Sequence, residues 1–290
     1  MLKKCTRPEC QHSNQPAQKN PGEKFFSPAP VASVQREPVP AGPKLLESPA
    51  FYPASDFDGR FSGEVHFRGD EGMVKLNAAI EFVGHASHQH LDKKGDWLPE
   101  QTQKFEEFKN KFISEVPKEW SNKIHLKAAC PVGGSASFTN KVSLFRAGAG
   151  QGTMVVHVFL EKPSGGRSNA SGQREDGTNR VVGNMAIGDE QETENKWTDP
   201  KTEKEHTFNQ RVISHEFGHM IGLGHIHGSG NNSENYGTTL EESRNMMGRG
   251  SDVNFSNAAP FIKILERFGR DRFTNDPVGR KCNVWSRFIY

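Results

Sequence analysis

The sequence predicts an α/β (α+β) fold, a mixed sheet with helices packed on it, preceded by a disordered or extended proline-rich arm over residues 1–55. Three observations carry this. Apolar residues alternate at period two over 72–83, they recur at helical spacing over 97–120, and neither pattern is present before residue 56.

Ten of the 17 prolines fall before residue 54, among them Pro28, Pro30, Pro38, Pro40 and Pro43. A stretch so rich in proline and so poor in apolar residues cannot bury enough surface to offset its ordering entropy. The folded domain is therefore placed at 56–290.

Within it, Val74, Leu76, Ala78, Ile80 and Phe82 alternate along a first strand, Gly72 to Val83. Trp97 to Trp120 reads as a helix, because Phe105, Phe108, Phe112, Val116 and Trp120 fall on one face. Further strands are expected at Lys123 to Ala129, Thr153 to Leu160 and Val181 to Ile187. Ser164 to Asn179, rich in Gly, Ser and charge, reads as a long exposed loop. A second helix is signalled by Thr207-Phe208-Asn209-Gln210, a candidate capping box, and would run to about Ile221. A last helix is expected from Pro260 to Phe268, with Phe261, Ile264, Leu265 and Phe268 on one face.

The 37 basic and 35 acidic residues leave a formal charge of only +2, so no strong field directs the chain to nucleic acid or to an anionic membrane. Met1 to Pro8 lacks the apolar run of a secretory signal, and no stretch approaches a membrane span of about 20 apolar residues. The expectation is synthesis in the cytoplasm and export by a non-classical route. Cys5, Cys10, Cys130 and Cys282 are too scattered for a small disulfide scaffold. A Cys130–Cys282 bridge and isolated thiols both stay open.

The chemistry concentrates in His215-Glu216-Phe217-Gly218-His219-Met220-Ile221-Gly222-Leu223-Gly224-His225. On a helix, His215 and His219 project from one face and can hold one ion between them. Glu216 lies one step round, beside such an ion, where a general base belongs. Gly222 permits the turn that ends the helix and brings His225 round as a third ligand. Three protein nitrogens leave an open position, as a catalytic zinc requires. Downstream stands Asn245-Met246-Met247-Gly248.

This pattern, His-Glu-x-x-His-x-x-Gly-x-x-His followed by a methionine turn, resembles that of the metzincin zinc proteases. The resemblance implies a mixed twisted sheet over an active-site helix, then a Met-turn and a C-terminal helix. It also implies one catalytic Zn2+, Met247 beneath it (with Met246 as the alternative), and metalloendopeptidase activity on protein or peptide substrates. In that family an edge strand pairs with extended substrate, and Gly183, Asn184, Met185 and Ala186 in the strand before the helix are assigned that role. Two departures stand out: Ile226 follows the third histidine where several subfamilies carry another residue, and Gly248-Arg249 replaces the tyrosine that some members use as a further ligand. Calcium, which some relatives bind, is not readable from the sequence.

Weaker signals surround this core. Tyr236 and His227 are candidate oxyanion or substrate contacts, and His85, His88 and His90 are either a second metal cluster or a polar loop. Cys5 and Cys10 are candidates for a zinc-capping latch, a redox pair, or a small metal knuckle with His12. Phe25-Phe26-Ser27-Pro28 and Val34-Gln35-Arg36 are similar to leader segments on cargo of bacterial extracellular contractile injection systems. That likeness implies a secreted or injected toxin or effector docking an injection-particle tube or chaperone through residues 1–55. A reading of another class is a non-catalytic cargo or adaptor that keeps zinc for stability; the intact Glu216 distinguishes them, since a scaffold has no need of it.

Overall fold

The computed structural model describes residues 49–68, 70–129, 135–161, 168–174, 180–228, 232–273 and 283–286. Cys5, Cys10, Cys130 and Cys282, and with them the latch and the bridge, lie outside these residues, as does the arm up to residue 48. The fold is α+β, with most residues of its core on one large sheet and four α-helices among the described residues.

The strands are β1 (Ala50–Tyr52), β2 (Ser62–Arg68), β3 (Glu71–His85), β4 (His125–Ala129), β5 (Ser135–Arg146), β6 (Met154–Phe159), β7 (Asn169–Arg174), β8 (Val181–Ala186), β9 (Glu192–Thr198), β10 (Glu205–Arg211) and β11 (Asn283–Ser286). The helices are α1 (Pro99–Trp120), α2 (Val212–Met220), α3 (Leu240–Arg244) and α4 (Ala259–Phe273). The main sheet runs β11-β4-β5-β3-β6-β8-β7, with β2 on β3 and β1 on β2. Strands β3, β5, β6 and β8 are mutually parallel, while β7 lies antiparallel on β8 as the outer strand. The long β3 serves two partners along one side, β2 opposite its first half and β6 opposite its second. β9 and β10 form a separate two-stranded ribbon that leads directly into α2.

Sequence and structure differ in several places. β1 lies inside the stretch assigned to the arm and already pairs with β2, so the fold begins upstream of Asp56. The stretch read as a loop contains β7, whose ladder is made by backbone groups and needs no apolar alternation. Residues 207–210 are strand, not a helix cap, and α2 starts at Val212 with no side-chain cap. β5 was not anticipated at all, although it sits centrally between β4 and β3.

The core explains where α2 is held. Phe108, Phe112, Val116 and Trp120 of α1 are fully buried, and Phe82 of β3 meets Phe108 and Phe112 edge-on at 6.5 and 5.6 Å. Trp120 then reaches α2 twice: its ring packs edge-on against Phe217 at 5.9 Å, and its indole N–H donates to the Ser214 carbonyl at 3.1 Å. Arg211, immediately before α2, is ion-paired with Glu119 of α1 and with Glu192 of β9 at 2.8 Å. Trp120→Ala removes both the buried ring and the hydrogen bond. The expected loss is about 3–5 kcal/mol of stability by denaturant titration; a loss under about 1 kcal/mol would contradict this account of the α1–α2 contact.

Candidate metal centre

Helix α2 carries His215 and His219 on one face, and the backbone breaks at Gly222, whose φ of +98° lies where glycine alone is unstrained. The turn is fixed by Gly222 N–H donating to the His219 carbonyl and Leu223 N–H to that of Gly218. It returns His225 to the helix, so that Nε2 of His225 stands 3.3 Å from Nε2 of His215 and 3.1 Å from Nε2 of His219.

These three nitrogens form the one group of metal-ligating side chains found among the described residues, close enough to hold a metal ion. Three imidazole nitrogens around zinc, each about 2.0–2.1 Å away in a tetrahedral arrangement, stand roughly 3.3 Å from one another, so the donor set fits. The same set suits other late first-row divalent ions. The tautomers fit too. The Nδ1–H of His215 donates to the Met246 carbonyl at 2.7 Å and that of His219 to the Leu223 carbonyl at 2.9 Å, and since a carbonyl only accepts, both Nε2 atoms keep free lone pairs. Burial drives the His215 pKa down to about 3, reinforced by His219 and His225 against the pull of the Met246 carbonyl, so the ring is neutral and able to ligate at neutral pH. Burial likewise lowers His219.

Glu216 is buried between α2 and the outer strand β7. Burial raises its pKa to about 8, with Asp189 adding to the rise and a hydrogen bond from the Ala170 N–H of β7 opposing it. Its Oε2 is buried with no hydrogen-bond partner among the described residues. A carboxyl whose folded pKa stands above its unfolded one favours the native state below about 4.5 and loses that advantage as pH climbs to about 8. His215 acts the other way, destabilising the native state only as pH falls from 6.5 toward 3. The unfolding midpoint of chelator-treated protein should therefore fall between pH 6.5 and 8, and Glu216→Gln should remove the Glu216 share of that fall. Equal slopes in the two proteins would contradict the assignment.

The Asn245-Met246-Met247-Gly248 turn lies beside the cluster. Asn245 and Asn257 bond through their side-chain amides at 3.0 and 3.1 Å, and the Asn245 carboxamide oxygen accepts the Met247 N–H at 2.8 Å. Met246 contributes its carbonyl to His215, while the Met247 sulfur packs against Gly218, where a Cβ would come within 2.2 Å of it. Gly218 therefore has a packing role that the motif alone does not reveal.

The remaining predicted residues divide. Tyr236 joins the cluster: its ring lies 4.1 Å from that of His225 and 5.9 Å, nearly parallel, from that of His215. His227 does not, because its Nε2 is 2.9 Å from Glu242, whose pKa is drawn down to about 2 as His227, Thr238 and Thr239 outweigh the upward push of desolvation. Gly183, Asn184, Met185 and Ala186 belong to β8, an interior strand with β6 on one side and β7 pairing its Val181 to Asn184 stretch on the other; the outer strand next to Glu216 is β7. Gly183 instead lets the sheet approach α2, a Cβ there falling 3.1 Å from the Met220 sulfur. His85 turns to His157 at 2.6 Å and His90 to Glu161 at 3.3 Å, so these two histidines do not share a cluster. Asp189 and Ala170 stand in no sequence motif, and Gln210 carries a helix-cap signal although it lies in β10.

Compared with known protein families, curated proteins and solved structures, the chain has no match.

Proposed function

We propose that the chain is a metzincin-type zinc endopeptidase that hydrolyses peptide bonds in protein substrates. The observation that carries this is the convergence of the His215, His219 and His225 Nε2 atoms beside a buried Glu216 on the same helix. The order of sheet, α2, methionine turn and α4 along the chain supports the reading.

Zinc, held by the three histidines, would supply Lewis-acid polarisation of the scissile carbonyl and acidify a water molecule. A cation held there would oppose the upward shift of Glu216 and so favour the carboxylate form that a base must have. Glu216 removes a proton from the attacking water and delivers it to the leaving amine nitrogen. β7 supplies the outer backbone edge along which an extended substrate can add as a further strand, a contact that reads little sequence. The Tyr236 ring walls the site on the His225 side. Glu216 separates this reading from a zinc-stabilised adaptor, because a purely structural centre takes a fourth protein ligand and needs no buried base. Delivery by an injection particle through residues 1–55 is proposed from the sequence alone. No helix among the described residues is long and apolar enough to cross a membrane.

Digestion of casein or gelatin tests the activity in bulk. Zinc-loaded protein should degrade either, a chelator should stop it, and added zinc should restore it; degradation indifferent to the chelator would overturn the proposal.

A further inference from the structure

Gln210 is the penultimate residue of β10, two residues before α2, and its side chain is buried. Its amide nitrogen stands 2.7 Å from the Gly250 carbonyl, 3.0 Å from that of Met246 and 3.3 Å from that of Gly248. Three carbonyls can only accept, so the NH2 end of the carboxamide must face them; the opposite orientation would set oxygen against oxygen. The Oε1 end meets the Asn195 amide at 3.4 Å, and Asn195 in turn donates to the Arg249 carbonyl at 2.9 Å. One side chain thus staples both ends of the 246–250 turn to the strand that launches the metal-ligand helix.

The Met246 carbonyl has two lone pairs and two donors, Gln210 at 3.0 Å and His215 Nδ1–H at 2.7 Å. Gln210 itself is 3.4 Å from His215 Nδ1, but that nitrogen carries the hydrogen given to Met246 and cannot accept a second. The amide therefore acts on the imidazole only through the peptide plane of Met246.

We propose that Gln210 is the positioning residue that fixes the metal-facing tautomer of His215, by holding the Met246 carbonyl in place. The inference rests on the triad being a metal site. His219 provides an internal control, since its Nδ1–H is held by the carbonyl of Leu223, which follows the C-terminal end of α2, whereas Gln210 precedes its start.

Gln210→Met keeps side-chain volume and loses both donors. Zinc affinity, measured by chelator competition on folded protein, should weaken about 10–100-fold. In 15N-edited spectra His215 should become a mixture of tautomers while His219 stays in one. Gln210→Glu, which sets acceptors against the three carbonyls, should bind more weakly still. A merely structural role would lower the melting point and leave tautomer and affinity as they are. Native affinity and a single His215 tautomer in Gln210→Met would overturn the proposal. In the native protein the Gln210 amide protons should exchange slowly, and fast exchange would overturn it even if neither variant folds. A native protein that binds no zinc would fail the metal reading itself, a result distinct from native and variant binding equally.

Discussion

Glu216→Gln should lower peptide hydrolysis roughly 100- to 10,000-fold while leaving zinc occupancy at the native level. The substitution keeps shape and removes the one titratable group on α2 outside the histidine triad, the group placed to accept and return a proton. It should not harm the fold, because Glu216 is buried and its charged form is already disfavoured there, the pKa standing at about 8 without a cation. Steady-state cleavage of a fluorogenic peptide, beside metal analysis of the same sample, checks both halves. Undiminished hydrolysis would remove Glu216 from the mechanism; loss of zinc together with activity would make it a structural support instead.

His225→Ala should uncouple the protein from zinc. His215 and His219 alone leave two ligands where a catalytic site uses three, so affinity should fall by more than about 100-fold, beyond what loss of a supporting hydrogen bond costs. At free zinc one hundred times the native Kd, binding stabilises the fold by about 2.7 kcal/mol, and the variant should lose that increment. Calorimetric melting with and without zinc reads the effect. An equal zinc-induced rise in both proteins would place the ion elsewhere. Because His225 also packs against Tyr236 at 4.1 Å, a small drop in the metal-free midpoint is expected as well.

What was legible in the sequence follows the physics of side chains with a periodic face. α1 was readable because five aromatic and aliphatic residues mark one side of it, and four of them are fully buried. The triad was readable because ligand spacing on a helix is fixed by the helix itself, and the Gly222 turn because only one residue type takes its φ of +98° without strain. β7 was not, since the outer strand of a sheet is held by backbone bonds and its Asn, Ser and Gln read as a loop. The β9–β10 ribbon was hidden for a related reason: its inward positions include Thr193, Asn195 and Gln210 as well as Trp197 and Phe208, so hydrophobic alternation is broken. Gln210 was misread as a helix cap because its actual partners lie 36 to 40 residues away. Its role comes from long-range contact, which no local pattern encodes. The outer place of β7 was hidden likewise, since β8 comes after it in sequence and nothing local shows that β7 folds back antiparallel on β8.

The most direct test of the metal-protease account is the cleavage profile of a peptide library exposed to the purified, zinc-loaded chain and read by mass spectrometry. The account requires internal cleavages that vanish with a chelator, return with zinc and are absent in Glu216→Gln. A zinc-loaded protein that cuts nothing, or one whose cuts survive both chelation and Glu216→Gln, would contradict it.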